Sequence, residues 1–159
     1  MKNFDDLQLS KDLIRFPSVT PIDAGAINYL SDKLKQLGFN CKILEFKDKE
    51  SPPIKNLYAR LGNKQPNLCY AGHTDVVPPG NINDWTVNPF KPKVKNNHLI
   101  GRGANDMKSS IACFIAAISN FLEIYFIAPA STGVTLGKLI RSFDNCSSLK
   151  FFINLLTDH

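Results

Sequence analysis

The chain has 159 residues, 43% hydrophobic and 21% charged, and carries a net charge of +5. That is enough apolar material for one globular domain with a core, and no apolar run reaches the length of a membrane span. The lysines are scattered, which argues against a nucleic-acid-binding stripe and reads as solvated surface with at most a weak pull on an anionic small substrate.

The opening segment, MKNFDDLQLSKDLIRF, places acidic residues where a secretory signal needs an unbroken apolar stretch, so a cytoplasmic location is the expectation. Cys41, Cys69, Cys113 and Cys146 are widely spaced and form no CxxC pair, which argues against a disulfide framework or a zinc knuckle. Cys69 and Cys113 lie in apolar runs and read as small buried hydrophobes.

Apolar residues over 5–16 recur at broadly helical spacing and stop at Pro17; PSVTP follows as a loop. Residues 23–37 form a second expected helix with Ile27, Leu30, Leu34 and Leu37 on one face and Gly38 as its C-terminal cap. FNCKILEF, NLYARLG and NLCYAGH read as three strands, with NKQP turning between the last two. A loop containing Trp85 leads to FKPKVKNNHLIGRG, a hairpin turning at Asn96-Asn97, and residues 107–122 are apolar enough for a mostly buried helix. The order points to an α/β layer fold. Beyond Glu123 the alternation is lost, leaving two possible short helices at 136–143 and 149–156.

Two stretches carry chemistry. In AGHTDVVPPG, His73 ends an expected strand, where α/β sheets present binding groups, and a neutral imidazole there suits zinc. Asp75, two residues on, falls on the same side of an extended chain and is placed to accept the other ring N–H of His73. Alone, HxD reads more simply as a polar strand end. In GRGANDMK, the glycines permit tight turns before a helix; Asp106 is either an N-cap or a metal-bridging carboxylate, and Lys108 reads as an exposed first-turn residue. NDWTVNPFKP between them reads as a loop anchored by Trp85 and Phe90, compatible with a pocket wall.

AGHTDVVPPG, then W and PF, then GRGANDMK opening an apolar helix, with LSKDLIRFPSVTP upstream, closely resembles the succinyl-diaminopimelate desuccinylases. These are a branch of the dinuclear-zinc family of aminoacylases, acetylornithine deacetylases and exopeptidases. The likeness spans about residues 5–122; Ser109, where the family often has glycine, departs from it. It implies an incomplete zinc-exopeptidase-like catalytic domain, a mixed sheet flanked by helices. In that reading His73 ligates one zinc, Asp106 bridges two, and Asp75 is an active-site residue orienting His73. Cobalt is the implied substitute for zinc. A cis peptide after Asp106 is a further implication. The implied reaction is hydrolysis of N-succinyl-LL-2,6-diaminopimelate to succinate and LL-diaminopimelate, in lysine and diaminopimelate biosynthesis. The implied partners are a small N-succinyl amino-acid substrate and a second copy of the chain, with no nucleic acid and no membrane.

The same resemblance implies a Glu-Glu pair, a further carboxylate ligand and a late histidine. No Glu-Glu pair is present, and after Asp106 the only carboxylate side chains are Glu123, Asp144 and Asp158, with His159 the only histidine. Residues 1–122 are therefore expected to be the first part of a metallohydrolase catalytic domain. Residues 123–159 are expected to be a divergent tail of frameshifted or truncated origin, without the family's dimerisation domain. Two of five implied ligands hold a dinuclear site poorly, so an inactive form with weak zinc binding is expected. The alternatives are an acetylornithine-type deacylase fragment and a non-catalytic relic or partner-binding protein.

Overall fold

The computed structural model describes residues 3–49, 52–63 and 68–127. The expected helices at 136–143 and 149–156, the NKQP turn and most of the proposed tail lie outside the described residues.

Helix α1 (Asp6–Ile14) begins at Asp5, whose carboxylate accepts from the Gln8 amide and so satisfies a donor that the first turn leaves free. Helix α2 (Ala26–Gln36) is capped by Asp23, which accepts from the amides of Gly25 (3.0 Å) and Ile27 (2.9 Å). It closes at Leu37, before Gly38 in the left-handed region at φ 86°. Strands β1 (Asn40–Phe46) and β2 (Ile54–Arg60) pair antiparallel from Asn40–Arg60 to Phe46–Ile54. Strands β3 (Lys93–Lys95) and β4 (His98–Ile100) form the expected hairpin, with Asn96 (φ 49°) and Asn97 (φ 63°) both left-handed, as a two-residue turn of that hand requires. Helix α3 (Ser109–Ile127) completes the order.

The core lies between helices. Leu9 and Leu13 of α1 and Leu30 and Leu34 of α2 join Ile111, Ala112, Ile115, Ile118 and Leu122 of α3 in one buried cluster. Burying a side chain of this size contributes about 1.5–3 kcal/mol each, before the entropy of ordering it is subtracted. The Ser119 hydroxyl donates to the Ala116 carbonyl (2.7 Å) and accepts from the Phe4 amide (3.2 Å), tying the first residues to α3.

The molecule is mixed α/β, with helices and small sheets, but three expectations need correction. No continuous mixed sheet forms among the described residues; there are two separate antiparallel pairs and one parallel bridge, Val19–Val76. Residues 68–73 have no ladder partner among the described residues, so the strand expected in NLCYAGH is not formed there. For the same reason Cys69 is exposed rather than buried: alternation indicates which side chains a sheet would cover, not whether a neighbouring strand is present. Cys113 is buried as expected.

Candidate metal-ligand pair and its supporting loops

Three segments meet at the candidate site. Residues 18–20 and 74–76 are laced together: Val76 donates its amide to the Ser18 carbonyl (2.9 Å), and Thr20 donates to the Val76 carbonyl (3.1 Å). The buried Ser18 hydroxyl donates to the Thr74 carbonyl (2.6 Å). PSVTP, expected only as a loop, therefore holds the HTD segment in place. The third segment, residues 101–108, crosses close to Val76. A Cβ on Gly103 would stand 2.7 Å from Val76 Cγ1, and the residue has φ +81°, so both space and backbone call for glycine.

That third segment is a kinked turn rather than the start of a regular helix. Asp106 (φ −133°, ψ 100°) and Met107 (φ −136°, ψ 30°) are non-helical, the Asp106–Met107 peptide is cis as the resemblance implied, and α3 begins at Ser109 instead of Met107. The turn aims the Asp106 carboxylate at His73. Its hydrogen-bond partner is the imidazole, not a helix amide, so the N-cap reading does not apply.

His73 Nε2 lies 3.0 Å from Asp106 Oδ1, and Nδ1 lies 3.0 Å from the backbone carbonyl of Asp75. The Asp75 carboxylate is farther away, at 3.5 Å from Nδ1. Two acceptors facing two ring nitrogens are both satisfied only by the imidazolium. Burial by itself lowers the His73 pKa, but the hydrogen bonds to the Asp75 carbonyl and the Asp106 carboxylate, with the charges of both aspartates, outweigh it and raise the pKa above its ordinary value. When Nε2 loses its proton, the Nδ1–H bond to Asp75 fixes the tautomer that leaves Nε2 free as a ligand. The contact that orients the ring is thus the Asp75 main chain more than its side chain.

An imidazole nitrogen and a carboxylate oxygen converging on one point are zinc-type donors. They do not make a complete site: among the described residues no third histidine, cysteine or carboxylate joins them in a metal-holding group. Asp75 stands on the Nδ1 side of the ring, away from the pair. His73, Asp75 and Asp106 all line one cleft of about 340 Å³ with Arg102 and the flanking glycines.

Lys108 is where sequence reasoning went astray. Expected at the surface, it is fully buried, and its ammonium donates to the Phe16 carbonyl at 2.7 Å. Burial pulls its pKa down to about 8, against the opposing pull of Asp23 and Asp75. The first-turn position suggested exposure; the kink before α3 instead turns the side chain into the gap between the end of α1 and the HTD loop.

Residues 69–130 match the sequence profile of Peptidase family M20/M25/M40. The succinyl-diaminopimelate desuccinylase of Pelagibacter ubique is 64% identical over 122 residues, which cover 77% of this chain and 32% of the relative. The chain is a partial homologue of the M20 peptidases. The corresponding desuccinylase of Wolbachia pipientis wMel is 54% identical over 122 residues, 77% of this chain and 30% of the relative. The chain therefore spans about a third of the length of the curated relatives it matches. Among solved structures, human carnosine dipeptidase 1 superposes with a TM-score of 0.66 at 25% identity, covering 76% of this homologue and 28% of that chain. The M20-family metallo-carboxypeptidase Sso-CP2 of Sulfolobus solfataricus gives 0.65 at 24% identity, over 79% and 28%. The expected α/β exopeptidase-like architecture is borne out at this level, as a partial M20 fold. No described helix is long and apolar enough to cross a membrane.

Proposed function

We propose that this chain carries one part of the metal site of a succinyl-diaminopimelate desuccinylase, with His73 and Asp106 as metal ligands and Asp75 as the residue that orients His73. The observation that carries the reading is the His73 Nε2–Asp106 Oδ1 approach of 3.0 Å across 33 positions of sequence, within a chain 64% identical to one such enzyme over the matched part. The M20 family is zinc-dependent. Zinc, or cobalt in its place, would be held by these two residues together with donors that the described residues do not supply. When bound, the metal polarises an amide carbonyl and makes hydroxide available near neutral pH. The contribution of this chain's own residues is geometric: the Asp75 carbonyl holds the imidazole in one tautomer, and the kinked turn holds the Asp106 carboxylate opposite it.

The substrate in this reading is N-succinyl-LL-2,6-diaminopimelate, cleaved to succinate and LL-diaminopimelate in the cytoplasm. The likeness to desuccinylases favours it over an acetylornithine-type substrate. Residues 1–122 form the shared part of the catalytic domain and 123–159 the divergent tail. A general base is needed to take the proton from water and pass it to the leaving amine. No Glu-Glu pair in the sequence offers it, so the chain alone is expected to be inactive. The test is complementation: the chain is co-expressed with the part of the Pelagibacter relative that it does not match, and succinate release is assayed with zinc. Release that disappears in His73→Ala and Asp106→Asn supports the reading. Release that survives both substitutions, or zinc binding by the chain that neither substitution weakens, overturns it.

A further inference from the structure

We propose that Arg102 is a receptor for a carboxylate group on the ligand that enters the His73–Asp106 cleft. The guanidinium is held from two sides: Cζ lies 5.0 Å from the centroid of the Trp85 ring, and Nη2 donates to the Pro78 carbonyl at 3.2 Å. The ring and the arginine's own backbone are themselves fixed. The Trp85 indole donates to the Pro79 carbonyl (2.9 Å), and the Arg102 amide donates to the Pro89 carbonyl (2.8 Å). Arg102 is thus clamped before any ligand arrives, so little rotamer freedom remains to be lost on binding.

Its charge, in contrast, is unanswered. Arg102 forms no ion pair among the described residues, and its buried Nε finds no acceptor there. A guanidinium has five N–H donors, and among the described residues this one donates a hydrogen bond only to Pro78. A fixed, permanently charged fork without a counter-ion in a cleft wall has the chemistry for bidentate carboxylate recognition. Asp75 and Asp106 share the cleft, but both carboxylates face His73, and neither forms an ion pair with Arg102 among the described residues. The cleft therefore divides into an acidic end at the imidazole and a cationic end at Arg102. A ligand presenting a carboxylate to one and a neutral reacting group to the other matches that division.

The proposal rests on His73–Asp106 being the reacting end, and the experiment separates the two ideas. Trp85 is the chain's single tryptophan, so its fluorescence reports on the Arg102 stack. The whole chain, kept metal-free with chelator, is titrated with succinate and with the uncharged diamide succinamide. Succinate is expected to give a saturable change and succinamide none. Arg102→Met is expected to weaken succinate by about tenfold or more, the loss of one charged contact, with Arg102→Lys in between. Equal binding by Arg102→Met and wild type, equal binding of succinamide, or no saturable response to succinate overturns the proposal. Should Arg102→Met fail to fold by circular dichroism, the Arg102 Nε–H resonance of the 15N-labelled wild type decides: saturable movement with succinate supports the site, and a static resonance refutes it. Succinate release by the complemented chain that survives His73→Ala and Asp106→Asn, while the chain still binds succinate, would remove the metal reading and leave the anion subsite standing.

Discussion

Replacing Lys108 by methionine tests whether a buried cation braces the candidate site. Methionine keeps most of the apolar stem and removes the ammonium, so the packing near Gly103 survives while the 2.7 Å bond to the Phe16 carbonyl is lost. Two effects oppose each other. A hydrogen bond from a charged donor is worth about 1.5–3 kcal/mol, although the Phe16 carbonyl keeps the Ser18 amide as a donor at 2.8 Å. Against this, burial lowers the Lys108 pKa to about 8, so sheltering the charge is itself costly, and its removal relieves that cost. The two nearly cancel, since the lowered pKa corresponds to about 3 kcal/mol against the charged form, and Lys108→Met is expected to change stability at pH 7 by about 1 kcal/mol or less. Alanine would also delete three buried methylenes at about 0.8 kcal/mol each, so Lys108→Ala is expected to cost roughly 2–3 kcal/mol.

The pH dependence supplies a sharper sign. The pKa is about 8 in the folded chain against an ordinary value of 10.5. Between those values the unfolded chain holds a proton that the folded one has released, so wild-type stability rises with pH across that window. Lys108→Met lacks this rise. Denaturant unfolding followed by circular dichroism at pH 7, 8.5 and 10 would measure it. Parallel stability curves for the two proteins from pH 8 to 10.5 would refute the argument.

Three other outcomes follow from the same geometry. His73 is expected to titrate above its ordinary value of 6.5 by NMR and to fall toward it in Asp106→Asn, which removes a carboxylate hydrogen bond and charge; a higher midpoint in that variant would contradict the pairing. Because its folded pKa is raised, the stability His73 contributes is fully present below pH 6.5 and is lost as the pH rises through the folded value. Zinc must displace the Nε2 proton, so calorimetry should show weak binding that tightens as pH rises through the His73 midpoint and is lost in His73→Ala; pH-independent binding would place the metal elsewhere. Gly103→Ala sets a Cβ 2.7 Å from Val76 Cγ1 at φ +81°, and a loss of about 1–3 kcal/mol in thermal melts is expected, with a neutral result contradicting the close approach.

The parts that local chemistry determines could be read from the sequence. The two early helices carry their own stop and cap signals, Pro17 and Gly38, and the hairpin carries Asn96-Asn97, whose left-handed conformation the turn requires. The site residues were legible for a different reason: His73, Asp75 and Asp106 stood in motifs that resemble one family, and the fold does bring them together. What could not be read depends on partners distant in sequence. No pattern in NLCYAGH tells whether another strand lies alongside, and PSVTP gives no local sign that residue 18 will hold residue 74. Lys108 is the clearest case. A lysine after an expected helix start is ordinarily solvated, and only the kink at Asp106 and Met107 turns it inward to a carbonyl 92 positions away.

These long-range contacts bear on how much of a metal site a partial homologue can pre-organise. The HTD segment is fixed by Ser18 and Thr20, the loop of residues 18–20 is continuous with Phe16, and Phe16 is held by Lys108, which follows Asp106 by two positions. The route closes on itself: the segment bearing one proposed ligand and the segment bearing the other are braced through a shared loop and a single buried ammonium. None of these contacts draws on residues outside the first 108. The geometry of His73 and Asp106 is therefore set by contacts among described residues, whereas completing a coordination sphere needs donors from elsewhere. Ligand positioning and metal affinity should then come apart in experiment. The imidazole is expected to keep its raised pKa and fixed tautomer in this chain without any metal, and Lys108→Met should loosen both while leaving the two ligands chemically intact.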